Sequence, residues 1–213
     1  MIGVLQVKVC GLTSVADAEA AAGIGADHLG FILYPKSPRF LPLADFVAMK
    51  AALPSLSKVA VLVAPGAEEL AAARDAGFDR FQVHFPVADV ALAQAASALV
   101  GPRRLWLAPK LPPGAEIEPA WLALADTWVL DTYRADSFGG TGHTGDWVKF
   151  LRCREAHPAC TWVLAGGLTP ENVAAAVAAT GASVIDVNSG VESAPGRKDA
   201  RKLAALASAL GAK

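Results

Sequence analysis

Residues 57–84 read SKVAVLVAPGAEELAAARDAGFDRFQVH, and the order of patterns in this stretch decides the fold. Ser57 to Val63 form a short, largely β-branched and apolar run that ends at Ala-Pro-Gly, the signature of a buried strand and its turn. AEELAAARDAG (67–77) then opens with two acids, carries an arginine near its end and stops at a glycine, as a helix does. RFQVH (80–84) is a second strand. Strand, helix and strand this close in sequence make a βαβ unit, with parallel strands joined by a right-handed crossover.

The same alternation runs outward in both directions. LQVKVC (5–10) and HLGFIL (28–33) precede the stretch, and RRLWL (103–107), TWVL (127–130), CTWVLA (160–165) and SVIDV (183–187) follow it. Helical patterns fill the gaps at 15–25, 43–53, 87–99, 148–156, 169–181 and 198–210, with a short one around PAWLALA (119–125). Eight such units at 213 residues predict an α/β fold in which one domain, residues 1–213, closes as a parallel (β/α)8 TIM barrel. An open doubly wound sheet is the alternative.

Composition narrows the function. Nineteen Lys and Arg against twenty Asp and Glu give no basic field for nucleic acid or an anionic membrane. Apolar residues make up 54% of the chain, yet in runs too short to span a bilayer, and MIGVLQVKVC reads as a first strand rather than a secretion signal. A soluble, cytoplasmic protein is the expectation. Cys10, Cys153 and Cys160 form no CxxC pair and no His/Cys ligand cluster, so reduced thiols without a metal are expected.

In a barrel of this kind reacting groups collect on the loops after the strands. Cys10 follows the first strand, Lys36 and Arg39 the second, His84 the fourth, Asp131 the sixth, Gly166-Gly167 the seventh and Asn188-Ser189-Gly190 the eighth. Each has a plain structural reading: a free cysteine is commonly a small buried hydrophobe, an aspartate caps turns, and arginine or histidine at a rim serves as loop charge or satisfied edge residue. The paired glycine turns say more. Backbone without Cβ can approach an anion, and strands seven and eight are where this architecture often binds phosphate, so a phosphorylated ligand is expected.

Read together, KVCGLT, GADHLGFILYPKSPRF, FQVH, LDTYRADSFGGTGHTGDW, LAGGLTPENV and DVNSGVESAPGRKD resemble, nearly end to end, the phosphoribosylanthranilate isomerase family of tryptophan biosynthesis. The resemblance implies an Amadori rearrangement of an aminoaldose phosphate to an aminoketose phosphate, without a cofactor or a metal, by a monomer or homodimer acting on a small phosphorylated substrate. By the same resemblance Asp131 is the general acid, Cys10 the general base and Arg39 the holder of the anthranilate carboxylate. His84 is a further substrate contact, and Gly166, Gly167, Ser189 and Gly190 grip the phosphate. The acid has to keep a proton near neutral pH, and the thiol has to lose one with help from local positive charge. FGGTGHTGDW (138–147) looks like a loop that closes over substrate.

The chain departs from the family pattern at His84-Phe85-Pro86, at Leu107-Ala108 with Lys110 behind a proline, at Ala64 where asparagine is frequent, and at His143 in place of a lysine. These edits leave open a related barrel acting on another phosphosugar. A non-catalytic phosphosugar-binding barrel would be expected to lose Cys10 or Asp131.

Overall fold

The computed structural model describes residues 5–112, 115–131 and 146–211. Eight strands, β1 (Gln6–Val9), β2 (His28–Ile32), β3 (Ser57–Val63), β4 (Arg80–Pro86), β5 (Leu105–Lys110), β6 (Thr127–Leu130), β7 (Thr161–Leu164) and β8 (Val184–Val187), pair in sequence order into a closed barrel. All neighbours are parallel, and the barrel closes through β1 on β8, with Gln6 opposite Val184 and Lys8 opposite Asp186. The open doubly wound alternative is thereby set aside.

Helices α1 (Val15–Gly23), α2 (Leu43–Met49), α3 (Ala67–Asp75), α4 (Val90–Val100), α5 (Trp147–Ala156), α6 (Val173–Thr180) and α7 (Ala200–Ala209) lie between the strands. Several start where a side chain satisfies an otherwise orphaned backbone N–H. Ser14 Oγ accepts from Asp17 N, Asp89 from Leu92 N, Asp146 from Lys149 N, and Asp199 from both Arg201 N and Lys202 N. The short segment expected around Pro119 is a 3-10 helix, Pro119–Leu124.

Side chains alternate across each strand, so every strand feeds two cores. The outer one joins strands to helices; in it Phe46 and Phe78 stack with centroids 3.8 Å apart and Phe31 meets Phe46 edge-on. Inside the barrel, Cys10, Val59 and Val61 pack on one side, and Trp106, Ala108, Val129, Val163, Ala165 and Val184 on the other. Polar residues occupy the same interior: Lys8, Gln82, His84 and Asp186 are all buried.

Two strands, β4 and β5, differ from the sequence reading by more than one residue at a limit. β5 starts at Leu105, since Arg103 and Arg104 belong to the preceding turn, and runs on through Pro109 to Lys110. β4 likewise continues to Pro86, which sits opposite Lys110. Pro86 is on the last rung of the β4–β5 ladder and Pro109, opposite Phe85, on the one before it, near the end, where a missing donor costs least. After β8 the chain adds an unforeseen antiparallel hairpin, β9 (Glu192–Ala194) and β10 (Arg197–Lys198), turned at Gly196 with φ of +78°. No helix among the described residues is long and apolar enough to cross a membrane. The expected closing loop at 138–147 lies, for residues 138–145, outside the described residues.

Candidate active site

The carboxyl ends of the strands surround a mouth holding about 490 Å³ of atom-free space, part of it open to solvent. Six of the eight residues expected from sequence line it: Cys10, His84, Asp131, Gly166, Gly167 and Ser189. Arg39 and Gly190 are not among the lining residues but adjoin them: the Arg39 stem lies over Gly11, next to Cys10, and Gly190 follows Ser189. Cys10 closes β1, its N–H donating to Val187 O of β8 at 2.8 Å, and is only 4% exposed. Asp131 follows β6 directly and is half-buried. In barrel order β7 and β8 separate the two, and their loops carry Gly166-Gly167 and Ser189.

Glycine is needed at particular points of this rim. Gly11 has φ of +72°, and a Cβ there would lie 2.7 Å from Arg39 Cδ and 2.6 Å from Asn188 Oδ1. Its absence lets the Arg39 stem and the Asn188 amide reach over the turn that follows Cys10. Gly166 and Gly167 have φ of +90° and +64°, which leaves the backbone after β7 facing the mouth without a side chain between. A Cβ on Gly190 would strike the carbonyl oxygen of Leu168, so the loops after β7 and β8 touch main chain to main chain.

Arg39 is organised by residues that the sequence reading did not single out. Glu192, at the start of β9, accepts from Arg39 Nε and Nη2, and Lys198 on β10 donates to Glu192 Oε1 at 3.0 Å and to Asn188 Oδ1 at 3.0 Å. Burial alone would raise the Glu192 carboxyl, but Arg39 and Lys198 outweigh it and hold the group below the usual carboxylate value. One carboxylate therefore faces two cationic side chains, of which Lys198 is pulled below its ordinary value by burial against the pull of Glu192.

Deeper in the barrel, Lys8 Nζ donates to Asp186 Oδ2 at 2.7 Å. Gln82 Nε2 lies 2.9 Å from His84 Nε2. With the amide oriented so that it donates, His84 Nε2 accepts and carries no proton. Burial, and then the Lys8 charge, bring His84 down to about 4, so the ring is neutral near pH 7. Burial pushes the Cys10 thiol up, against the pull of Lys8. Lys8, Gln82 and Asp186 escaped the sequence reading, though charged or amide residues in otherwise apolar strands, with Lys8 and Gln82 each two positions before a rim residue, were a usable signal.

The site thus offers a thiol and a carboxylic acid across one mouth, a cationic cluster to one side and glycine turns between. Comparisons with known proteins give the family. A family model for N-(5'phosphoribosyl)anthranilate (PRA) isomerase matches residues 7–209. An N-(5'-phosphoribosyl)anthranilate isomerase from Synechococcus sp. (strain JA-2-3B'a(2-13)) is 36% identical over 99% of this chain and 92% of its own length. Among solved structures, a phosphoribosyl anthranilate isomerase from Thermus thermophilus superposes with a TM-score of 0.80 at 30% identity, covering 97% of this chain and 98% of that one. A second, solved in complex with reduced 1-(o-carboxyphenylamino)-1-deoxyribulose 5-phosphate, gives 0.73 at 28% identity over 98% and 100%. Fold, rim geometry and sequence agree over nearly the whole chain: it belongs to the N-(5'-phosphoribosyl)anthranilate isomerase family.

Proposed function

We propose that Cys10 and Asp131 are the base and the acid of the family's reaction, the isomerisation of N-(5'-phosphoribosyl)anthranilate in tryptophan biosynthesis. That reaction is an Amadori rearrangement. Asp131 gives its proton to the ribose ring oxygen as the C1–O bond breaks, and the anthranilate nitrogen's lone pair closes a C1=N iminium. The Cys10 thiolate then takes the proton from C2, and the freed electron pair forms C1=C2 while neutralising the nitrogen. Loss of the C2 hydroxyl proton and return of a proton to C1 complete the aminoketose, 1-(2-carboxyphenylamino)-1-deoxyribulose 5-phosphate. General acid and base groups placed this way each supply on the order of 10²–10⁴ in rate.

The observation that carries this reading is that Cys10 and Asp131 directly follow β1 and β6 yet line one mouth, with the glycine turns after β7 and the loop after β8 between them. Arg39 then holds the anthranilate carboxylate, for which its planar fork of donors suits, and His84 contacts the sugar as a neutral ring. Residues 1–213 act as one barrel domain in the cytoplasm, as monomer or homodimer. The test generates substrate in situ from anthranilate and phosphoribosyl pyrophosphate with a transferase, follows loss of anthranilate-adduct fluorescence and identifies the ketose. Enzyme-dependent ketose supports the assignment. A folded protein that forms none, but turns over a plain pentose phosphate, would replace it with a different phosphosugar isomerase.

A further inference from the structure

Lys8 is fully buried, two residues before Cys10 on β1 and on the same face of the strand. A lysine inside a barrel stays charged only if a partner compensates its lost hydration. Asp186 provides that from the opposite position on β8. Burial would strip the Lys8 proton, but Asp186 and then Cys10 outweigh it and hold the ammonium above its ordinary value; burial also pushes the Asp186 carboxyl up against the pull of Lys8, and the 2.7 Å contact between them favours the charged pair.

The stem of this lysine and the thiol of Cys10 rest against the same bare backbone. A Cβ on Gly30 of β2 would lie 3.0 Å from Lys8 Cε and 3.1 Å from Cys10 Sγ. The missing side chain brings the end of the lysine stem beside the sulfur. The other groups that face the thiol are Asp186 from β8, whose charge opposes ionisation, and Lys198 from β10, whose charge favours it. His84 and Gln82 from β4 share the mouth and are neutral, and Asp131 stands across it. Among these, Lys8 exerts the largest pull toward the thiolate and outweighs Asp186.

We propose that Lys8 is a positioning residue for the base: anchored by Asp186 and seated against Gly30, its ammonium is the positive charge against which the Cys10 thiolate forms. The proposal rests on the reading of Cys10 as the base. The thiol loses its proton to solvent before the chemical step, and the thiolate beside Lys8 then accepts the proton from C2 of the substrate. Lys8 itself exchanges no proton.

The test uses protein carrying Cys153→Ala and Cys160→Ala, so that Cys10 is the remaining thiol. Thiolate absorbance is titrated against pH, and the pH profile of kcat/KM is measured on the same samples. Lys8→Met should move both the thiolate titration and the ascending limb of kcat/KM to higher pH by about one unit or more, a tenfold loss of thiolate at fixed pH. Lys8→Arg, which keeps the charge, should restore most of the shift. If Lys8→Met fails to fold because Asp186 is left unpaired, the double variant Lys8→Met/Asp186→Leu removes both charges, and its titration should still move up. An unmoved thiolate titration, with Cys10→Ala inactive, would overturn the role of Lys8 while leaving Cys10 as the base. A moved titration with an unmoved kcat/KM limb would show instead that Cys10 is not the base.

Discussion

The guanidinium of Arg39 is gripped along one edge by the carboxylate of Glu192, with Nε at 2.9 Å from Oε1 and 3.0 Å from Oε2, and Nη2 at 2.7 Å from Oε2. The two residues are 153 positions apart, and the contact fixes the loop after β2 to the hairpin after β8. Glu192 also holds Lys198, whose side chain is 1% exposed. Glu192→Gln keeps the shape and removes the charge, leaving a buried ammonium without its carboxylate. Stability should fall by about 3 kcal/mol, measured by urea unfolding. Asp75→Asn, which breaks the solvent-exposed pair with Arg74, should leave it nearly unchanged. Equal small losses in the two variants would show that the Glu192 cluster contributes little.

Gly190→Ala should separate the loops after β7 and β8, to which the proposed function gives the phosphate. The new Cβ meets the backbone carbonyl of Leu168, which cannot turn aside as a side chain can. We expect the KM for phosphorylated substrate to rise about tenfold, equivalent to ~1.4 kcal/mol, and competitive inhibition by inorganic phosphate to weaken in parallel. Unchanged KM would place the phosphate elsewhere on the rim.

Ala64, just after β3, carries φ of +43° without being glycine, and its N–H donates to His84 O at 2.7 Å. An L-residue with a Cβ is strained there by about 1–2 kcal/mol, part of which glycine's extra unfolded-state entropy offsets. Ala64→Gly should therefore stabilise the protein by roughly 0.5–1 kcal/mol in urea unfolding. A loss of stability would mean that the turn tolerates the methyl group without strain.

His84 and His28 should make the protein acid-sensitive well above the carboxylate range. Both are brought down to about 4, mainly by burial. Unfolded histidine titrates near 6.5, so between roughly pH 6.5 and 4 the unfolded chain binds protons that the folded one does not. Stability is full above that window and is lost as pH falls through it, with a slope approaching about 1.4 kcal/mol per pH unit for each histidine. Unfolding of the protein and of His84→Gln at several pH values in the window should show a shallower dependence in the variant. The comparison cancels the carboxylate contributions common to both, and parallel curves would contradict the neutral, buried reading of His84.

The barrel was legible in the sequence because each unit is local: the strand pattern, the helix start and the glycine stop lie within about thirty residues, and eight repeats leave few topologies. Rim residues were legible for the same reason, since Cys10 and Asp131 stand directly after a strand and His84 two residues from the end of one. What stayed hidden depends on distance in sequence. Lys8 meets Asp186 across 178 positions, and Arg39 meets Glu192 only because the barrel closes β1 on β8 and a hairpin then folds back. The extension of β4 and β5 through Pro86 and Pro109 was missed because proline usually ends a strand pattern, whereas in the last two rungs of this ladder it is tolerated.

The central claim is that Cys10 and Asp131 divide two proton transfers across one mouth. It is tested most directly by kcat for Cys10→Ala and Asp131→Asn in the coupled assay, with circular dichroism and urea unfolding to establish that each variant is folded. Each should lose on the order of 10²–10⁴ in kcat with an intact fold. Near-normal turnover by either folded variant would contradict the claim and remove that residue from the mechanism.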